Sequence, residues 1–176
     1  MKILDATCGF RGIWYQKNHP FVTFMDIKKG NIIRMSEHTK VKDRRFWKCN
    51  PDVVSDWKDA PFPDNYFDMI IFDPPHLILE RGKKLPNMAE VYGYLYKDTY
   101  RQVLQAGIKK LFDILKPEGV FVLKWCENSV PVDEIIKLFP YPPLFGSNTK
   151  GKGHTANFWI IFLKYRCEKP LEEITK

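Results

Sequence analysis

Four aspartates, Asp5, Asp26, Asp56 and Asp73, each follow a short apolar run, and the last opens the tetrapeptide Asp73-Pro74-Pro75-His76. An ionised carboxylate accepts hydrogen bonds and attracts cations. If these runs are parallel strands of one open sheet, their carboxyl ends share an edge, which is where such sheets bind ligands. Any one of the four also suits a plain turn, because Asp is common in turns. The ordered set points to a ligand site, since a glycine turn, Cys8-Gly9-Phe10-Arg11-Gly12, follows the first acid.

Each position suggests a role. Gly9 lets the backbone approach a ligand closely. Asp26, after the second run, can accept both hydroxyls of a ribose. Asp56 can accept from an adenine amino group, with Trp57 available to stack, and Asp5 favours a nearby cation. Together these suit an adenosyl ligand that carries a sulfonium. Asp73 and the Pro74 carbonyl can accept the N–H hydrogens of a planar amine whose lone pair is delocalised. Pro74 and Pro75 hold the turn that presents them, and His76 can stack or protonate. A D-P-P tripeptide alone also describes a proline-rich strand end. Direct group transfer needs no covalent intermediate, so Cys8 and Cys126 read as turn or core residues.

The elements that must position these residues alternate. Lys2 to Thr7, Phe21 to Met25, Asp52 to Ser55, Phe67 to Phe72, Val120 to Trp125 and Phe158 to Tyr165 read as strands. A short helix is expected from the glycine turn to about Asn18, closed by Pro20. Residues 28–50 read as charged and irregular, made basic by Lys40, Lys42, Arg44, Arg45 and Lys48. Asp98 to Leu115 has helical periodicity, with Val103, Leu104, Ile108, Leu111, Phe112 and Leu115 on one face, and Lys116-Pro117-Glu118-Gly119 stops it. Val132 to Leu138 reads as a helix and Gly146 to Gly153 as a flexible loop. Alternating strands and helices predict an α/β domain with a mainly parallel sheet and an antiparallel edge strand.

The 176 residues suit one domain, 1–176, able to bury roughly 70% of its unfolded surface. The net charge of +7 modestly favours polyanions. The four cysteines lack C-x-x-C pairing and the histidines lack zinc spacing, which predicts a reduced protein without a metal site. Met1-Lys2-Ile3-Leu4-Asp5 is charged almost at once and no apolar run approaches 18 residues, so no signal peptide, no membrane span and a cytoplasmic location are expected. Residues 77–96 form a long segment carrying Arg81, Lys83, Lys84, Tyr92, Tyr94 and Tyr96. Basic residues among aromatics suit an unstacked nucleotide strand, or a solvated loop with tyrosines tucked inward. Lys150, Lys152 and His154 could face phosphates. Lys124 and Trp125 end the fifth strand on the same side, where Trp125 walls the pocket or simply packs.

Asp5-Ala6-Thr7-Cys8-Gly9 resembles the first motif, D-x-x-C/A-G-x-G, of Rossmann-like S-adenosylmethionine-dependent methyltransferases. The second glycine falls on Arg11, and Gly12 is expected to take its role one residue late; dinucleotide binding through G-x-G-x-x-G is disfavoured. Ile71 to His76 resembles the D/N/S-P-P-Y/F/W motif of methyltransferases that modify nitrogen in a planar group, with His76 where an aromatic stacks on the base. Small bacterial and phage-encoded DNA amino-methyltransferases are similar in carrying the arginine. The resemblance spans Ile3 to about Tyr165. It implies a seven-stranded methyltransferase sheet with helices on both faces, and S-adenosylmethionine as cofactor. It implies a cofactor site at Asp5, Thr7, Cys8, Gly9, Asp26, Asp56, Trp57 and Asp73, and a catalytic turn at Asp73, Pro74, Pro75 and His76. Lys83, Lys84, Tyr92, Lys124 and Trp125 are the expected substrate residues, and residues 77–96 an inserted substrate loop. The expected substrate is an exocyclic amine of a nucleobase, in DNA before RNA, at adenine N6 or cytosine N4. RNA and protein glutamine amides share the turn and stay open, as does a catalytically silent nucleic-acid-binding module. The oligomeric state is not fixed.

Overall fold

The computed structural model describes residues 1–33, 46–149 and 156–165. In chain order the elements are β1 (Ile3–Asp5), β2 (Val22–Asp26), β3 (Gly30–Ile33), β4 (Phe46–Cys49), β5 (Val53–Val54), a 3-10 turn (Trp57–Asp59), β6 (Phe67–Phe72), β7 (Ile78–Leu79), α1 (Asn87–Tyr92), β8 (Leu95–Tyr96), α2 (Tyr100–Ile114), β9 (Leu115–Cys126), α3 (Val132–Ile136), β10 (Phe145–Thr149) and β11 (Asn157–Leu163).

Seven strands make one sheet in the order β10-β11-β9-β6-β1-β2-β5. From β9 to β5 all neighbours pair in parallel, while β11 runs antiparallel to both β9 and β10. The expected mainly parallel sheet with antiparallel pairing toward one edge is therefore present. Side chains alternate between two faces. Leu4, Met25, Ile70, Phe72, Phe121, Leu123 and Phe162 enter the main core, whereas Ile3, Val22, Phe24 and Ile71 form a second cluster.

The helix α2 follows from Leu104, Ile108, Leu111 and Phe112, which recur at helical spacing and are all buried in the main core. It ends where Leu115 turns extended, just before Pro117. Val132 and Ile135 of α3 and Trp57 of the 3-10 turn pack on the same face. Helices were expected on both faces. Among the described residues the opposite cluster is instead covered by Ile13 and Trp14, from the turns that follow β1.

Three local expectations change. Residues 10–18 form turns, not a helix, because Arg11 ties itself to Lys17, Asn18 and Asn50 and fixes a non-helical path. The stretch expected to be irregular contains the antiparallel pair β3–β4. The loop expected from Gly146 begins as an edge strand, β10, paired with β11. Residues 77–96 are also folded, with β7 and β8 paired in parallel on either side of α1. Lys40, Lys42, Arg44, Arg45, Lys150, Lys152, His154 and Cys167 lie outside the described residues. Among the described residues no helix is long and apolar enough to cross a membrane.

Gly107 on α2 faces the Trp57 ring so closely that an added Cβ would sit 1.8 Å from Trp57 Cζ3. In an ordinary helix Gly→Ala gains up to about 1 kcal/mol. Here the overlap with a rigid buried ring reverses the sign, since overpacking costs about 1–3 kcal/mol. Gly107→Ala is expected to lower the melting temperature by several degrees in thermal denaturation; an unchanged or raised value would show that the core can give way.

Candidate active site

Because β1, β2, β5 and β6 are parallel neighbours, their carboxyl ends lie on one edge. Asp5 and Asp26 end β1 and β2, Asp73 directly follows β6, and Asp56 follows β5 as the cap of the 3-10 turn. The expected convergence is thus present, but each carboxylate has its own partners.

Asp5 is 1% exposed. It accepts the Trp14 indole N–H at 2.7 Å and the Thr7 backbone N–H at 3.2 Å. Burial pushes its carboxyl up to about 7, with the charges of Asp73 and Asp26 adding to the shift against those two hydrogen bonds. Asp26 accepts the Gly9 N–H at 2.8 Å on one oxygen and the Lys28 N–H at 2.8 Å on the other. Each oxygen keeps a second lone pair. Gly9 has φ +49 with open space where a Cβ would be, as a loop against a ligand requires.

Arg11 adopts φ +58, the left-handed conformation expected of a glycine there. Gly12 does not replace it: a Cβ on Gly12 would meet the Phe10 ring at 2.6 Å. The Arg11 guanidinium instead covers the Phe24 ring at 3.7 Å and donates to the carbonyls of Lys17 and Asn50.

Asp73 is the most constrained of the four. Its backbone N–H donates to Thr7 Oγ1 at 2.8 Å, joining the two turns across β1 and β6. His76 Nε2 bonds one carboxylate oxygen at 2.8 Å and Lys124 Nζ the other at 2.6 Å. Burial works to raise its pKa, but the His76 hydrogen bond and charge, followed by Lys124, outweigh burial and hold the carboxyl below its usual range. His76 is set edge-on to Trp125 at 4.9 Å, and its Nδ1 is buried without a partner. Pro75 lies under Gly93, the C-cap of α1, where an added Cβ would approach Pro75 Cγ to 3.1 Å.

Other expected residues fall differently. Asp56 accepts the Lys58 N–H at 3.0 Å and pairs with the Lys58 ammonium at 2.8 Å. Trp57, 8% exposed, is pressed on Gly107 and edge-on to Phe72, so its ring packs rather than stacking on a ligand. Trp125 is fully buried, its indole donating to the Val130 carbonyl at 3.0 Å. Cys8 is buried in the second cluster. Tyr92 is half-exposed and its ring meets Phe10 edge-on at 6.4 Å, which places α1 beside the glycine turn. Lys83 and Lys84 are exposed, and Lys83 pairs with Glu80 at 2.6 Å. Lys83 also lines a cavity of about 520 Å³ with Ile78, Lys97, Arg101, Ser129 and Glu134. Sequence reading missed Trp14 as the partner of Asp5 and Lys124 as the partner of Asp73. The indole's position six residues beyond Cys8 was a weak signal; the Lys124 contact spans 51 residues, and only its place at the end of the fifth strand pointed to it.

The donor set suits a cationic nucleoside: a buried carboxyl poised near neutrality, an anion held by backbone N–H groups and an open glycine. No family model and no curated protein matches the chain. Solved structures do share its fold. An S-adenosylmethionine-dependent methyltransferase from Methanosarcina mazei is 14% identical, with a TM-score of 0.57 over 93% of this chain and 92% of that one. The 1,6-didemethyltoxoflavin-N1-methyltransferase of Burkholderia thailandensis, solved with S-adenosylhomocysteine, is 15% identical, with a TM-score of 0.53 over 93% and 71%. The 4+2 cyclase SpnF is 11% identical, with a TM-score of 0.52 over 93% and 74%. The chain therefore has the Rossmann-like fold of S-adenosylmethionine-dependent methyltransferases, a fold that also carries a cyclase.

The Asp5 shift gives a signed prediction. Between pH 3.8, the ordinary value, and about 7, folded Asp5 keeps a proton that the unfolded chain releases. Its contribution to stability therefore falls as pH rises through that window, by up to about 1.4 kcal/mol per unit. Without added ligand, the melting temperature of Asp5→Asn relative to wild type is expected to climb from pH 4 to pH 7 and then level off. A pH-independent difference would refute the raised carboxyl.

Proposed function

We propose that the chain is an S-adenosylmethionine-dependent methyltransferase whose acceptor is an exocyclic amine of a nucleobase in DNA, adenine N6 or cytosine N4. One observation carries this reading: Asp73 N–H donates to Thr7 Oγ1, so the Asp73-Pro74-Pro75-His76 turn lies directly against the Asp5-to-Gly9 turn. A group held by one turn is within reach of a group held by the other.

When bound, the cofactor supplies a methyl group on a positively charged sulfur. Asp73 gives the edge a negative potential that attracts this cation, beside which the Asp5 carboxyl can give up its proton. The open Gly9 admits it, and the spare lone pairs of Asp26 accept ribose hydroxyls. Lys124 and His76 keep Asp73 ionised and each use one acceptor position, leaving others for a substrate N–H. With the Pro74 carbonyl as second acceptor, these bonds localise the nitrogen lone pair and make the amine nucleophilic as its geometry changes. The net charge of +7 and the exposed Lys83, Lys84 and Tyr92 suit a nucleic-acid strand.

His76 favours a second reading with the same chemistry. Its ring is bonded to Asp73 and set against Trp125, so it is not presented for stacking on a base. A protein glutamine amide makes no such demand.

Calorimetry is expected to show S-adenosylmethionine binding, and its absence would sink both readings. Labelled cofactor offered with DNA, RNA and protein pools should label DNA, with Asp73→Ala reducing transfer by at least about a hundredfold. Label confined to RNA or protein would reassign the acceptor, and transfer unchanged in Asp73→Ala would remove that residue from the chemistry.

A further inference from the structure

Cys8, in the glycine turn, and Cys49, in β4, have no part in the methyl transfer proposed above. Their sulfur atoms and a carboxylate oxygen of Asp26 all lie within 4.8 Å of one another. The two come from distant segments: Cys8 directly precedes Gly9, and Cys49 ends β4. Cys8 is 5% exposed and Cys49 is fully buried; the Cys8 thiol donates to the Gly9 carbonyl at 3.8 Å and the Cys49 thiol to the Lys28 carbonyl at 3.2 Å.

From this geometry we infer that Cys8 and Cys49 are a peroxide-oxidisable dithiol, whose disulfide ties the cofactor turn to the β3–β4 hairpin and weakens cofactor binding. The environment divides the labour between the sulfurs. The neighbouring Cys8 thiol lowers the pKa of Cys49 against its burial, helped by the charges of Lys28 and Arg11. The Cys49 thiol beside it, burial and the charges of Asp5 and Asp26 push Cys8 up. Cys49 is therefore the attacking thiolate and Cys8 the resolving thiol. Two thiolates with the Asp26 carboxylate would also suit zinc, an outcome that zinc titration separates from the disulfide.

The oxidant is hydrogen peroxide, small enough to reach buried sulfur. The Cys49 thiolate attacks one peroxide oxygen; the O–O bond breaks, and the departing hydroxide takes a proton and leaves as water. Cys8 sulfur then attacks the Cys49 sulfenic acid. The S–S bond forms, the S–O bond breaks, and the hydroxyl leaves as a second water with the Cys8 proton. Each sulfur gives up one electron, and both peroxide oxygens are reduced to water.

Forming the bond draws Cys8 toward Cys49. Gly9, one residue on, donates to Asp26, so the pull displaces the pair assigned to the ribose. This consequence depends on the proposed cofactor site; the disulfide itself does not. Linkage is reciprocal, so bound cofactor should protect the thiols.

The full chain is treated with hydrogen peroxide, with and without S-adenosylmethionine. Expected are loss of the mass of two hydrogens, a Cys8–Cys49 cross-linked peptide, reversal by dithiothreitol, and slower cross-linking with cofactor present. Cofactor affinity of the oxidised protein should fall by about tenfold. Cys49→Ser should keep the affinity of the reduced wild type and lose the sensitivity to peroxide, and Cys49→Ala should do the same if serine disturbs packing. Oxidation confined to Cys126 or Cys167, with no Cys8–Cys49 peptide, would overturn the inference. So would stoichiometric zinc binding that is lost in Cys49→Ser and prevents cross-linking. A cross-link in a chain whose reduced form binds no cofactor would uphold the dithiol and fault only the cofactor site.

Discussion

Parallel pairing of β1 with β2 and β6 brings like charges together, and much else at this edge answers that constraint. Asp5, Asp26 and Asp73 interact through a medium largely emptied of water, where three bare anions would be costly. Each is managed differently. Asp5 holds a proton up to about pH 7. Asp26 is neutralised by the partial charges of two backbone N–H groups. Asp73 receives Lys124 and His76. The outcome is an edge with a carboxylate held by side-chain cations, a carboxylate held by backbone N–H groups and a carboxyl that ionises once a cation arrives beside it.

The scaffold around this edge is economical. α2, α3 and the 3-10 turn cover one face, and Trp57 reaches the core only because Gly107 opens a slot for it. On the other face Trp14 both fills space beside Phe24 and supplies the indole N–H that Asp5 accepts. α1 then leans on the turns themselves, through Tyr92 against Phe10 and Gly93 over Pro75. Site and packing share side chains, so few substitutions here would alter only one of them.

Much of the sheet was legible because its strands are buried and nearly continuous in apolar residues, and their ends carry the acids. The glycine turn and the Asp73 turn were legible as local patterns. What was not legible depends on partners far along the chain. β10 is an edge strand built from Phe-Gly-Ser-Asn-Thr, a composition poor in strand formers, and only β11 beside it makes it a strand. The β3–β4 pair is set in a charged stretch whose pattern hides its alternation. Trp57 looked free to stack because nothing in its neighbourhood announces Gly107. His76 looked like a stacking residue, yet its partners are Asp73, three positions back, and Trp125, a strand away.

Arg11 has a consequence of its own. A glycine there would leave the turn free to wander before any ligand arrives, and binding would have to freeze it. Arginine accepts the strain of a left-handed backbone, roughly 1–3 kcal/mol, and spends its guanidinium bracing the turn against Lys17, Asn18 and Asn50. The ordering cost is thereby met during folding rather than at the moment of encounter. The turn meets its ligand as a preset mould, and the brace reaches as far as the strand that carries Cys49.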